Sequence, residues 1–90
     1  MEKTKDDGRH TQRLSKLPVG ASGVVVGVDG DAELRRRLLE MGFCNGASIE
    51  VVRKAPLGDP VEYRLRGYHL SLRQEQARHV KVAHSAKATH

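Results

Sequence analysis

Every leucine, isoleucine, valine and phenylalanine of the 90-residue chain falls between Leu14 and Val82, 21 residues in all. The first 13 residues and the last eight contain none. Burial of such side chains is the main driving force of folding. The chain can therefore build one small core, and must build it from this central stretch. The expectation is a single domain over residues 14–82, flanked by disordered tails: 1–13, basic and polar, and 83–90. A core of this size leaves a net stability of about 3–5 kcal/mol. It has no room for a second domain or for a large enclosed cofactor pocket.

The apolar residues come in short runs broken by glycine and proline. Leu14 and Leu17 open the domain, and Pro18 and Gly20 turn the chain. Gly23–Val28 reads GVVVGV, the pattern of a strand buried on both faces, with a bulge or a close backbone approach at Gly27. After the turn Asp29-Gly30-Asp31, Leu34, Leu38 and Met41 recur at i, i+4 and i+7, one stripe of a helix. Asp31 is suited to the N-cap and Gly42 to the position just past the helix end. Asn45-Gly46 turns the chain again, and Ala47–Arg53 and Val61–Arg66 alternate as strands with one wet face. Between them KAPLGDP, Lys54–Pro60, holds two prolines and can be neither helix nor central strand. Gly67-Tyr68 reads as a turn, His69–Leu72 as a short strand, Arg73–Ala77 as one helical turn, and His79–Val82 as the closing strand. The sum is a mostly β fold. Closing a small barrel removes exposed edges, so the expected architecture is an SH3-like β-barrel of about five strands with one inserted α-helix.

Charge and chemistry narrow the function. The net charge is +5, but residues 14–82, with 11 basic and 8 acidic groups, carry only +3. Phe43, Tyr63 and Tyr68 are the sole aromatics, too few for base stacking on a basic surface. No apolar run approaches the ~20 residues that span a bilayer, and no apolar leader opens the chain. A single cysteine excludes an internal disulfide. The expected location is the cytoplasm. Cys44, His69 and His79 are the candidate metal ligands of the domain. No CxxC, HxxxH or HExxH spacing ties them together, and an incidental role is expected for each. APLGDP lacks the Lys-Ser/Thr of a phosphate loop. Glu40 and Glu50 have no nucleophile beside them. No enzyme activity and no cofactor are expected.

Three stretches carry a family resemblance: RRRLLEMGFCNG (Arg35–Gly46), APLGDP (Ala55–Pro60) with the strand after it, and HLSLRQEQARHVKV (His69–Val82). With Leu14, Leu17 and Gly20 they cover the whole domain, and together they resemble FeoA-type proteins. The resemblance implies an SH3-like barrel with an inserted helix. It also implies a non-enzymatic role beside a FeoB-type ferrous iron transporter that carries a cytosolic GTPase domain. The same fold unit forms the C-terminal domain of iron-dependent repressors. Ninety residues leave no space for a winged helix beside it, so sequence-specific DNA binding is not expected.

The expected contact surface is then the helix Leu34–Gly42, with the charges Arg35, Arg36, Arg37 and Glu40, and the loop Ala55–Pro60, with Leu57 and Asp59. These are the irregular features of an otherwise regular barrel. The ordinary structural alternatives are a solvated helix face with Glu33 pairing Arg37, and a turn in which Asp59 bonds nearby backbone. Two other functions compete: a nucleic-acid-binding barrel and a transition-metal carrier. A monomer or weak homo-oligomer is expected.

Overall fold

The computed structural model describes residues 11–84. Strand β1 (Thr11–Arg13) leads through one 3-10 turn (Leu14–Lys16) to β2 (Ser22–Val28) and helix α1 (Ala32–Met41). Then come β3 (Ser48–Lys54), β4 (Val61–Leu65), β5 (Tyr68–Leu72), the short helix α2 (Gln74–Ala77) and β6 (Val80–His84). The strands form one antiparallel sheet in the order β1-β6-β2-β3-β4-β5. The fold is mostly β with an inserted helix, as the hydrophobic pattern implies.

The sheet has six strands where about five are expected, and β1 is the addition. Thr11, Gln12 and Arg13 pair with Ala83, Val82 and Lys81. The strand shows no apolar alternation, so only its pairing reveals it. Regular structure thus extends beyond 14–82 at both ends, and the rest of the two expected tails lies outside the described residues.

Alternation elsewhere does what the pleat requires. Ile49 and Val51, then Val61, Tyr63 and Leu65, then Val80 and Val82, all point into one core with Leu14, Leu17, Val25 and Leu72. No polar or charged residue is buried among the described residues. β2 departs from the expected two-sided burial. Gly23 and Val25 are buried, while Val24, Val26 and Val28 are half-buried. Its register against β6 slips between Val25 and Gly27, the bulge that Gly27 announces. β3 has a second slip between Val51 and Arg53 that nothing in the sequence signals. The β4–β5 turn falls one residue earlier than expected. Arg66 (φ 51°) and Gly67 (φ 92°) occupy it, with Leu65 paired to Tyr68. Positive φ at both central residues is the two-residue hairpin geometry that suits strand twist.

Both expected ends of α1 are correct. The Asp31 carboxylate accepts from the Leu34 amide at 2.9 Å. At the other end Gly42 is left-handed (φ 111°), its amide donates to Leu39 O, and the Phe43 amide donates to Leu38 O. Those two bonds satisfy orphan carbonyls, and the fully buried Leu38 and Phe43 supply the hydrophobic contact that goes with them. The Tyr68 hydroxyl donates to Met41 O and ties β5 to the same helix end.

A Cβ on Gly42 would stand 2.9 Å from the Tyr68 hydroxyl oxygen and 3.2 Å from a Leu65 methyl, whereas one on Gly46 (φ 95°) would meet nothing within 4 Å. Gly42→Ala is therefore expected to cost about 1–3 kcal/mol, more than Gly46→Ala, which carries the backbone penalty alone. Thermal unfolding of the two variants checks this, and equal melting temperatures would refute the close approach.

Candidate functional site

The loop after β3 is built by its prolines and one glycine. Pro56 and Pro60 cannot donate to a ladder. The Ala55 amide instead donates to Pro60 O (3.0 Å), and the Gly58 amide, in a residue with φ 89°, to Ala55 O (2.7 Å). The Asp59-Pro60 peptide bond is cis. Asp59 does not bond its own turn, as the local alternative supposed. Its Oδ1 accepts from the Gln74 amide at 2.8 Å, and Gln74 Nε2 donates to Gly58 O at 3.1 Å. The loop base is thus held by the first residue of α2, and Leu57 stands at the tip, 96% exposed.

On α1, Arg35, Arg36, Arg37 and Glu40 are all exposed. The expected Glu33–Arg37 pair does not form: neither residue is in an ion pair of the described structure. Helix and loop are linked through α2. Leu34 and Arg37 share a surface groove with residues around α2, and α2 in turn grips the loop through Gln74. Sequence reading gives α2 as one helical turn and assigns it no part in the surface. The signal was thin, an arginine at each end of QEQA.

The three candidate metal ligands are not brought together. Cys44, half-buried, accepts from Arg66 Nη1 (3.4 Å). His69 Nδ1 lies 2.8 Å from Glu62 Oε2, and His79 Nδ1 2.9 Å from Asp29 Oδ1. Among the described residues no three His, Cys, Asp or Glu side chains are grouped to hold a metal ion.

The ion pairs involve the arginines of the strands. On the sheet, Arg64 pairs with Glu50 directly across from it, and Arg53 with Glu62 at 3.1 Å. Arg13 pairs with Asp29 at 2.6 Å. The hydrogen bond from His69, with Arg53 beside it, holds the Glu62 carboxyl below its ordinary value. The bonds from His79 and then Arg13 do the same for Asp29. Burial pushes the Tyr63 phenol up to about 12, so it stays neutral. By contrast Arg35, Arg36, Arg37, Arg73 and Arg78 take part in no ion pair of the described structure. The arginines of the strands are paired and those on and flanking the two helices are not; Lys16, Lys54, Arg66 and Lys81 also take part in no ion pair of the described structure.

The FeoA domain model matches residues 12–84. The chain belongs to the FeoA family. It is 50% identical over 70 residues to the Fe(2+) transport protein A/Fe(2+) transporter FeoB fusion protein of Porphyromonas gingivalis, a match covering 78% of this chain and 8% of the fusion protein. The FeoA-like protein of Clostridium acetobutylicum is 34% identical, with TM-score 0.80, covering 89% of this chain and 93% of that one. The FeoA of Stenotrophomonas maltophilia, described as an SH3-domain protein and solved with zinc, is 36% identical, with TM-score 0.70, covering 79% of this chain and 88% of that one. Likeness in fold alone extends to a manganese-dependent transcriptional repressor: 14% identity, TM-score 0.77, 89% of this chain and 45% of that one. The names of the Porphyromonas and Stenotrophomonas relatives tie them to ferrous iron transport, and the SH3-like expectation is correct. No helix among the described residues is long and apolar enough to cross a membrane.

The lowered Asp29 pKa has a testable sign. Its ionised form favours the folded state, so its contribution is complete above the ordinary value of 3.8 and is lost as pH falls through and below that value. Melting temperatures of the native chain and of Asp29→Asn should differ by a constant amount from neutral pH down to about pH 5, then converge in more acid solution. A gap that stays constant into strong acid would refute the assignment.

Proposed function

We propose that this chain is a non-enzymatic, cytoplasmic accessory module of ferrous iron transport that docks on the cytosolic part of a FeoB-type transporter. One observation carries the reading: a relative 50% identical over 70 residues is continuous with a FeoB transporter in a single polypeptide. A shared chain holds two partners at high effective concentration, an arrangement useful when they work in contact.

The geometry suits docking better than catalysis. Leu57 is a large apolar side chain on a loop whose base is clamped by Asp59 and Gln74, so little freedom is lost when a partner covers it. Arg35, Arg36, Arg37 and Glu40 on α1 supply charge for orientation. Asp59 serves this surface as the clamp behind Leu57. Docking alters the transporter only through a difference in affinity between its conformations, and this sets how strongly the module can regulate it.

Leu57→Glu is expected to weaken binding to the transporter in nanodiscs by about tenfold or more, since it places a charge where an apolar contact is needed. The amide NMR spectrum should otherwise match the native one. Titration of the isotope-labelled native chain with the transporter, and separately with its soluble GTPase domain, should shift or broaden signals in α1 and Ala55–Pro60. Unchanged affinity in the variant removes the loop from the interface. No response to either preparation overturns the docking role.

A further inference from the structure

We propose that the groove between α1 and α2 binds an acidic, extended segment of a partner protein, with carboxylates set on either side of an apolar side chain. The proposal rests on the docking reading in that the segment belongs to a protein partner, but it does not involve the Leu57 loop.

The groove has a volume of about 430 Å³. Arg37 comes to it from α1, Arg73 and Arg78 from the two ends of α2, and the half-buried Leu34 lies among them. All three arginines are exposed, and none is in an ion pair of the described structure. This sets them apart from Arg13, Arg53 and Arg64 on the sheet, each matched by a carboxylate. Glu75 is the one carboxylate lining the groove, and His79 is engaged by Asp29 behind it. The site is therefore positive, and its charge is free to be used.

The scaffold is rigid on both sides. α1 is capped at both ends. The N-terminus of α2 is held by Asp59, Gln76 Oε1 accepts from the Arg73 amide at 3.1 Å, and Ala77 is fully buried beneath it. The planar, forked guanidinium group takes a carboxylate in two-point contact with less entropy lost per bond than a flexible ammonium. The spread of the three over two elements selects the occupant. A small inorganic anion has no apolar part with which to cover Leu34 while it meets the arginines of both walls. A segment with acidic residues flanking an apolar one can do all three. Nucleic acid fits less well, because no phenylalanine, tyrosine or tryptophan lines the groove to stack a base, and the His79 ring is engaged by Asp29.

The probe is a capped pentapeptide with a central leucine and glutamates on both sides, titrated into the isotope-labelled full-length chain. Shifts should concentrate at Leu34, Arg37 and residues 73–79. The double variant Arg73→Glu/Arg78→Glu should weaken binding about tenfold or more, by loss of both contacts and by repulsion. Lys54→Glu/Lys81→Glu makes the same change in net charge outside the groove and should leave affinity within about twofold. A glutamine version of the peptide should not bind. Equal weakening by the two double variants, shifts scattered over the surface, or full displacement by inorganic phosphate at constant ionic strength would each overturn the proposal. None of those results touches docking through the loop, because Leu57→Glu is expected to leave peptide binding intact. Leu57→Glu with transporter affinity unchanged would count against the loop and not against the groove.

Discussion

The pairing of β2 with β6 holds the rest of the molecule in place. It joins the beginning of the domain to its end, with Val25 opposite Val82 and Val28 opposite Val80. Everything between, including α1 and three further strands, is a long loop closed by this contact. Closing so long a loop costs little more entropy than closing one half its length. Burial of Val25, Val80 and Val82 offsets that cost, and the bulge after Val25 lets β2 follow β6 and then β3 without exposing the inward residues. Three side chains reinforce the join from outside. Asp29, just past β2, receives Arg13 from β1 and His79 from before β6, while its amide donates to His79 O. The acid sensitivity of Asp29 thus belongs to the closure of the fold.

The paired arginines and the proposed contact surface lie on different parts of the molecule. The strands pair their arginines with carboxylates, Arg53 and Arg64 directly across β3 and β4, each exposed pair worth little alone. The helices leave theirs free. A domain that only had to fold would gain from pairing Glu33 with Arg37, a contact its spacing allows, and it does not make it. Free guanidinium groups and an exposed leucine on a clamped loop are features that folding does not require.

The local elements were legible because their signals are local. Asp31 and Gly42 bracket α1 by chemistry that acts within four residues, and Gly27 marks its bulge. The misreadings have physical causes of the same kind. β1 is polar and three residues long, so its identity lies in β6 and not in itself. The β4–β5 turn was placed one residue late because Arg66, which adopts the left-handed conformation there, does not announce it as asparagine would. Asp59 was read within its own turn, while its partner lies in α2. The candidate ligands Cys44, His69 and His79 were open at the level of sequence because only folding decides their neighbours, and it gives each a different one. Helix α1 and the loop Ala55–Pro60 could be singled out as the proposed contact features from irregularity alone, but α2, which connects them, could not.

The antiparallel pairing of β1 with β6 has a consequence for evolution by recombination. Thr11 lies opposite Ala83, so the chain comes in and leaves at neighbouring points on the same flank of the sheet. A unit wired in this way is portable. It can be spliced into a longer reading frame through either terminus, with the strain of the junction falling on two adjacent strand ends and not on the core.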